Sequence, residues 1–161
     1  MPKDLNKSKK EVPFEQSPKK ELKEATPEPI SPAVLPASKQ KKILIADDEP
    51  VNLKGLELML RKEGYKVHCV KDGSEVLEIL CREKFDCVLM DIRMSFLDGE
   101  ETTKQIRSSN KCFSAIPIIA QTAFSIKGDR ENFLQAGMDD FIPKPVEKEE
   151  LLKVLDRNLQ L

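Results

Sequence analysis

The chain has 161 residues, of which 39% are hydrophobic and 34% are charged, with a formal net charge of -1. This length and composition fit one globular domain with an additional segment. The nearly balanced charge excludes the strongly basic surface that holds nucleic acid by its phosphates, so we expect protein partners and no direct nucleic-acid binding. No run approaches the roughly 20 apolar residues that cross a bilayer, and the N-terminus lacks a signal-peptide core, so we expect no membrane span and a cytoplasmic location.

The first 40 residues differ in composition from the rest of the chain. They contain seven of the eleven prolines and no glycine, and they mix Lys and Glu with few large apolar residues. Such a segment buries too little apolar surface to offset the entropy lost on ordering. We therefore predict a flexible leader over residues 1–40 and one folded domain over residues 41–161.

Short apolar runs alternate with helical periods from residue 41 onward, which is typical of repeated βα units. The predicted strands cover residues 43–46, 67–70, 87–90, 116–120 and 141–142. The stretches between them carry leucines at helical spacing, for example Leu53, Leu56 and Leu60. Five strands and five helices of this kind predict an α/β fold whose parallel sheet is covered by helices on both faces.

Punctuation residues agree with the predicted helix boundaries. Pro50 stands where a first-turn proline is tolerated, and Gly64 follows the predicted end of the first helix. Asp98 and Glu101 have the spacing of a capping box, which places the start of the third helix just after Asp98.

The four cysteines Cys69, Cys81, Cys87 and Cys112 are widely spaced, without a C-x-x-C pair. This spacing indicates neither a zinc site nor a disulfide framework. We expect reduced, half-buried thiols.

Acidic residues lie at the predicted carboxyl ends of two strands. Asp47 and Asp48 close the first strand and Asp91 closes the third. Carboxylates brought this close either share a proton or bind a hard cation, and an oxygen-lined site suits Mg²⁺. Taken alone, the segment around Asp47 and Asp48 also fits a solvated turn that caps a helix. The coincidence with Asp91 favours the metal site.

Two further polar residues follow the fourth and fifth predicted strands, namely Thr122 and Lys144. Each alone is more often a turn hydroxyl or an exposed charge than a functional group. On the rim of one crevice, however, an ammonium can neutralise the oxygens of a phosphoryl group, and a hydroxyl can hydrogen-bond one of them. Asp91 is then the candidate nucleophile.

The order of these segments resembles the response-regulator receiver domain over about residues 41–161. The resemblance rests on residues 43–49 (ILIADDE), residues 90–94 (MDIRM) with Asp98 and Gly99, residues 121–123 (QTA) and residues 137–145 (GMDDFIPKP). It implies a flavodoxin-like doubly wound sheet with strand order 2-1-3-4-5.

The resemblance also implies roles. Asp91 is the phosphoacceptor, and Mg²⁺ is bound by Asp47, Asp48 and Asp91 with the backbone carbonyl of Arg93. Lys144 pairs with the phosphoryl oxygens, while Thr122 moves toward them on activation. The resemblance further implies a cis peptide bond before Pro145.

The resemblance places Phe141 at an aromatic switch position. Its side chain would report phosphorylation on the face formed by the fourth helix, the fifth strand and the fifth helix, where a downstream protein binds. The chain is thereby expected to be a signalling receiver that assists its own phosphorylation and dephosphorylation, rather than an enzyme.

Two residues depart from the family pattern. Ser95 stands where the family usually has Pro, which predicts a less rigid loop after Asp91 and a changed phosphoryl lifetime. Gln121 stands where the family usually has an apolar residue, so packing or partner contacts are expected to differ. Neither change removes a group that phosphorylation needs.

The phosphodonor is expected to be another molecule. His68 is the single histidine of the chain and lies in a predicted strand, whereas phosphodonor histidines are displayed on exposed helices. The expected partner is a histidine kinase or a histidine phosphotransfer protein that docks near Asn52 at the start of the first helix. The sequence around Asn52 and over residues 137–145 resembles receivers of hybrid kinases, although Met1 is compatible with a free-standing protein. Because the sequence ends with the fifth helix, its output is expected to be made by contact.

Three other interpretations are weighed against this one. An aspartyl-phosphate hydrolase of the haloacid dehalogenase type has a second acid two positions after its nucleophile, where this chain has Arg93. A flavodoxin-type cofactor site is disfavoured because the loop after the first strand is acidic and would repel a flavin phosphate. A receiver-like scaffold that acts without phosphorylation remains open, although the complete acidic set and Lys144 argue against it.

Overall fold

The computed structural model describes residues 40–123 and 129–160. Strands and helices alternate along these ranges. They are β1 (Lys42–Ala46), α1 (Pro50–Lys62), β2 (Lys66–Val70), α2 (Gly73–Arg82), β3 (Cys87–Asp91), α3 (Gly99–Ser108), β4 (Ile118–Thr122), α4 (Asp129–Ala136), β5 (Asp140–Pro143) and α5 (Lys148–Leu159). All but one residue of the predicted leader, residues 1–40, lies outside the described ranges.

The strands form one parallel sheet in the order β2-β1-β3-β4-β5. Between consecutive strands a helix carries the chain back to the end of the sheet where the preceding strand began, as parallel pairing requires. The predicted fold class and strand order are therefore confirmed.

Alternation along the strands divides the core into two layers. On β1, Ile43 and Ile45 pack on the side of α1 and α5, whereas Leu44 and Ala46 pack on the side of α2, α3 and α4. All four side chains are fully buried. A strand that is apolar on both faces is what a sheet covered on both sides demands.

The fourth strand differs from its predicted bounds, residues 116–120. It begins two residues later, because Pro117 has no N–H to donate to the ladder, although its carbonyl accepts from the N–H of Val88 at 2.9 Å. It continues through Gln121 and Thr122, both buried despite their polarity. Thr122 is therefore the last residue of the strand and does not follow it.

The helix boundaries follow the predicted punctuation closely. Pro50 occupies the first turn of α1, and Gly64 has a φ of 90° just beyond that helix. At α3, the Asp98 carboxylate accepts from the N–H of Glu101 at 2.8 Å. The Glu101 side chain instead accepts from Gln105, so half of the predicted capping box forms.

The four cysteines are free thiols, as expected, but the prediction that they are half-buried holds for Cys69 alone. Cys87 opens the central strand β3 and is fully buried, and burial raises the pKa of its thiol. Cys81, at the end of α2, and Cys112, in the segment before β4, are both exposed. In the described ranges, no helix is long and apolar enough to span a bilayer.

Candidate functional site

The carboxyl ends of β1 and β3 bring three carboxylates together. These strands are neighbours in the sheet, so Asp47, just after β1, lies beside Asp91, the last residue of β3. Ligand oxygens of Asp47, Asp48 and Asp91 all lie within 4.8 Å of one another. Asp47 is fully buried and Asp91 is 7% exposed, whereas Asp48 faces solvent.

Lys144 reaches this cluster from the loop after β5. Its Nζ lies 2.7 Å from Asp47 Oδ2 and 3.1 Å from Asp91 Oδ1. Its backbone N–H donates to the carbonyl of Thr122 at 2.7 Å, which ties the loop to the end of β4. The peptide bond between Lys144 and Pro145 is cis, as the resemblance implies.

Burial and neighbouring charges set the protonation of these groups. Desolvation raises the pKa of Asp91 above its ordinary value, with a further rise from the charge of Asp47, and the Lys144 ammonium offsets part of it. For Lys144, burial acts to lower the pKa, but hydrogen bonds and charges from Asp47 and Asp91 outweigh it and raise the pKa overall. The ammonium therefore stays protonated between the two carboxylates.

The donor set fits a divalent cation. Three ionised carboxylates and one ammonium leave two negative charges uncompensated, and oxygen ligands are those that Mg²⁺ prefers. Arg93, whose carbonyl is the remaining predicted ligand, directly follows Ile92 in the loop after β3. Its backbone N–H lies 3.4 Å from Asp91 Oδ1, a long contact.

The two acidic residues after β1 are held in different ways. Asp47 Oδ1 accepts from the N–H of Glu49 at 2.8 Å, which turns the chain into α1. Asp48 Oδ2 accepts from both the N–H and the hydroxyl of Ser95, at 3.0 and 2.9 Å. This link was not predicted from the sequence, in which Ser95 stood out only as the residue replacing the usual proline.

The loop that carries Ser95 is tightly folded. Phe96 has a φ of 70°, and the N–H of Leu97 donates to the carbonyl of Ser95 at 3.0 Å, which closes a three-residue γ-turn. The Phe96 side chain is fully exposed. A bulky residue with positive φ is uncommon, so this turn stores strain beside the carboxylate cluster.

Gly99 allows α3 to begin against the end of β3. A Cβ at this position would lie 2.2 Å from the backbone oxygen of Asp91, closer than real Cβ contacts. The N–H of Gly99 also donates to the carbonyl of Ile92 at 3.0 Å. A side chain at this position would therefore displace the backbone of Asp91 or the start of α3.

Thr122 lies on the wall of a cavity of about 290 Å³ that Asp91 and Lys144 also line. Phe133 and Asn132 of α4 form its far side. The predicted convergence of Asp47, Asp48, Asp91, Thr122 and Lys144 at one edge of the sheet is thus what the geometry shows. Their chemical roles stay predictions.

Gln121 is the anomaly of the site. It lies on β4 beside Asp91 in the strand register and is fully buried. Neither its Nε2 nor its Oε1 has a hydrogen-bond partner in the described part of the chain. Side chains alternate between the two faces of a strand, and this alternation places Gln121 at a core-facing position of β4. That position was the signal that could have predicted its burial.

The remaining predicted residues lie around the crevice or away from it. Phe141 is half-buried against the layer of α2, α3 and α4. Asn52 lines a cavity of about 160 Å³ with Lys144 and Gln121, beside the start of α1. His68 lies in β2 and packs edge-on against Phe85, with ring centroids 6.0 Å apart, which fits the expected structural role.

Comparison with known families assigns most of the chain to one of them. Residues 43–156 match the response regulator receiver domain. Among curated proteins, 74% of the chain matches hybrid signal transduction histidine kinase I of Dictyostelium discoideum, with 38% identity over 125 residues. The chain spans only 7% of that kinase, and 16% or less of each of the other kinases compared.

Solved structures give the same picture. The receiver domain of sensor histidine kinase PA1611 from Pseudomonas aeruginosa, solved with a magnesium ion in its active-site cleft, is 42% identical with a TM-score of 0.69. The match covers 76% of this chain and 99% of that one. A second is the receiver domain of Ssk1 from Saccharomyces cerevisiae, solved with the phosphotransfer protein Ypd1. It is 28% identical with a TM-score of 0.66, over 73% of this chain and 87% of the matched chain.

Proposed function

The chain belongs to the response regulator receiver family of two-component phosphorelays, and we propose on that basis that Asp91 accepts a phosphoryl group from a phosphohistidine. The observation that carries the proposal is the Lys144 ammonium between Asp47 and Asp91 at the carboxyl ends of the strands. We assign the folded receiver to residues 41–161 and a flexible leader to residues 1–40, with a cytoplasmic location.

Asp91 is the nucleophile in this proposal. Both described contacts to its carboxylate, from Lys144 and from the N–H of Arg93, fall on Oδ1, which leaves Oδ2 to attack phosphorus. An O–P bond forms as the N–P bond to the donor histidine breaks, and the electron pair of that bond returns to the imidazole. No second carboxylic acid stands two positions after Asp91, which disfavours a hydrolase and favours a receiver that is not an enzyme.

Asp47, Asp48, Asp91 and the Arg93 carbonyl are the ligands that would hold Mg²⁺. The neighbour from Pseudomonas aeruginosa, solved with magnesium in its cleft, supports this assignment. When bound there, the cation supplies positive charge to the phosphoryl oxygens, alongside the ammonium of Lys144.

Phosphorylation is proposed to be read out through Thr122 and Phe141. Thr122 and Asp91 line the same cavity, and the Thr122 hydroxyl would donate to a phosphoryl oxygen. Half-buried Phe141 can then change its packing, which alters the face of α4, β5 and α5. That face would bind a downstream protein, so that the switch acts through protein contacts.

The first experiment measures intact mass after incubation with acetyl phosphate and Mg²⁺. We expect the wild type to gain one phosphoryl group that hydroxylamine removes, and Asp91→Asn to gain none. Asp156→Asn is the matched control, because Asp156 is an exposed aspartate on α5, far from the cluster in sequence. Absence of the gain in wild type, even with kinase donors, would instead support a scaffold that works without phosphorylation.

The donor is proposed to be a histidine kinase or a histidine phosphotransfer protein that docks near Asn52. The complex of the Ssk1 receiver with Ypd1 supports a partner of this class. Lys54→Glu reverses an exposed charge on α1 and should slow transfer from the protein donor but not from acetyl phosphate. Lys153→Glu on α5 is the control, and equal slowing with both donors would contradict docking on α1.

A further inference from the structure

Ser95 forms a bridge between the loop after β1 and the loop after β3. Its N–H and its hydroxyl both donate to a single oxygen, Asp48 Oδ2, at 3.0 and 2.9 Å. The two residues are 47 positions apart, so the bonds join the loop after β1 to the loop after β3. Both hydrogen bonds are charge-assisted, since the acceptor is a carboxylate.

Asp48 needs this support more than its neighbours do. Asp47 is fully buried and is held by the N–H of Glu49 and the ammonium of Lys144. Asp48 is exposed, and its described hydrogen bonds are those from Ser95. Without them the carboxylate would sample several rotamers in water, and a cation would have to order it on binding.

The shape of the β3–α3 loop presents Ser95 for this contact. The γ-turn at Phe96, with its φ of 70°, directly follows Ser95 and is closed by the bond from Leu97 to Ser95. A strained turn of this kind persists only where surrounding interactions hold it. The two bonds to Asp48 are such interactions, so loop geometry and carboxylate position depend on each other.

We propose that Ser95 is a positioning residue for the divalent cation, because it anchors Oδ2 of Asp48 and leaves Oδ1 directed to the metal. This inference rests on the proposed function, in which Asp48 is a cation ligand. It goes further by assigning the affinity of the site partly to a residue that touches neither the cation nor the phosphoryl group. Groups that hydrogen-bond a metal-ligating side chain, without contacting the metal, commonly change the affinity for the metal.

Two opposite effects of Ser95 are possible, and they differ in sign. If it orders Asp48, removing the hydroxyl weakens Mg²⁺ binding. If it competes with the cation for the carboxylate, removing the hydroxyl tightens binding. The structure favours ordering, since both donors converge on one oxygen and leave the other outside the contact.

The test measures Mg²⁺ binding to the full chain by isothermal titration calorimetry, without a phosphodonor. We expect Ser95→Ala, which keeps the N–H but loses the hydroxyl, to weaken affinity by about threefold to tenfold, at or below the lower end of outer-ligand effects. Ser95→Thr restores the hydroxyl and should recover most of the wild-type affinity. Ser108→Ala, which removes an exposed hydroxyl at the far end of α3, should leave it unchanged.

Amide hydrogen exchange provides a readout that does not depend on the metal. In the absence of Mg²⁺, Ser95→Ala should speed exchange at the N–H groups of residues 95 and 97, and Ser95→Thr should not. Equal or tighter Mg²⁺ binding by Ser95→Ala would overturn the proposal, as would failure of Ser95→Thr to recover affinity.

Failure of the proposed function gives a different pattern. Wild-type protein that binds no Mg²⁺ would overturn both the cation assignment and the role of Ser95. Wild-type protein that binds Mg²⁺ and is phosphorylated, with Ser95→Ala indistinguishable from it, would overturn the role of Ser95 alone.

Discussion

Lys144 is the residue on which the charge balance of the site depends. Its ammonium contacts two carboxylates that are buried or nearly so, 2.7 Å from Asp47 and 3.1 Å from Asp91. A buried carboxylate without a counter-charge is costly, and the charge of Asp47 raises the pKa of Asp91.

Lys144→Met should therefore destabilise the protein in a pH-dependent way. At neutral pH we expect a loss of roughly 2 kcal/mol, discounted because Lys144 is partly exposed. Burial already raises the folded-state pKa of Asp91 above its ordinary value of 3.8, so its proton is held more tightly when the chain is folded. The deficit should shrink as pH falls through that raised pKa toward 3.8, because the protonated carboxyl needs no partner.

Urea unfolding of wild type and Lys144→Met across this acidic range checks the sign. Lys153→Met is the control, since Lys153 is an exposed lysine on α5 and should lose little at any pH. A deficit that is constant with pH would show that Lys144 stabilises through packing of its stem and not through charge.

Gln121, in contrast to Lys144, is expected to lower the free energy of unfolding. Its carboxamide is fully buried and has no partner in the described ranges, and a polar group left in this state costs about 1–3 kcal/mol. Gln121→Leu keeps a similar volume and removes both polar atoms. We expect it to raise the free energy of unfolding by about 1–2 kcal/mol.

The matched control for that measurement is Gln135→Leu on the exposed side of α4, which should change stability by less than about 0.5 kcal/mol. Both are measured by urea unfolding. A destabilised Gln121→Leu would show that ordered water hydrogen-bonds the buried amide in solution.

Residue types and positions predicted the site only up to a point. Asp47, Asp91 and Lys144 could be placed together because the ends of parallel strands meet at one edge of a sheet. The hydrogen bonds from Ser95 to Asp48 could not be predicted, because they depend on a turn with positive φ at Phe96. Positive φ is expected of glycine, and the sequence gives no local sign of it at a phenylalanine.

Among the secondary-structure elements, α1 and α3 use glycine for opposite reasons. Gly55 lies in the middle of α1, where a Cβ would meet no described atom within 4 Å. Gly99 begins α3 and lies against the backbone of Asp91, which a Cβ would approach to 2.2 Å. The same substitution should therefore have opposite effects at these two positions.

Gly55→Ala is expected to stabilise the protein by about 0.5–1 kcal/mol, because alanine restricts the unfolded chain and favours the helix. Gly99→Ala is expected to destabilise it by about 1–3 kcal/mol, because the backbone of Asp91 or the start of α3 must move. Each variant serves as the control for the other in thermal or urea unfolding. Effects of the same sign at both positions would contradict the close approach at Gly99.

Element type was more predictable than element boundary. The leucines of α1 and the capping residue Asp98 gave the helix starts, since periodicity and caps are local signals. The bounds of β4 were wrong at both ends. Pro117 shifted its start, and burial by neighbouring strands, a property of the assembled sheet, extended it through Gln121 and Thr122.

At the scale of the whole molecule, the proposed cation binding would be linked to folding. The carboxylates come from the carboxyl ends of two strands, and an unfolded chain would not hold them within 4.8 Å of one another. A ligand that binds the folded state alone stabilises it by an amount set by its concentration relative to its dissociation constant.

Mg²⁺ is thus expected to raise the free energy of unfolding, by about 2.7 kcal/mol at a concentration one hundred times the dissociation constant. Chelation with EDTA should reverse the gain. Asp48→Asn should lose most of it, whereas Asp156→Asn should retain it. An equal Mg²⁺ effect on both variants would place the binding outside the carboxylate cluster.

The ion pair between Lys144 and Asp47 spans 97 positions of the chain. As the polypeptide leaves the ribosome, Asp47 emerges long before Lys144, the lysine that balances its charge. The contact between them has a large sequence separation, and such contacts form late because a long loop must close first. A truncated or half-made copy therefore contains Asp47 and Asp91 without the ammonium of Lys144. In the proposed function, competence to receive a phosphoryl group would arise only once β5 has joined the sheet, so completion of folding would itself be a condition for signalling.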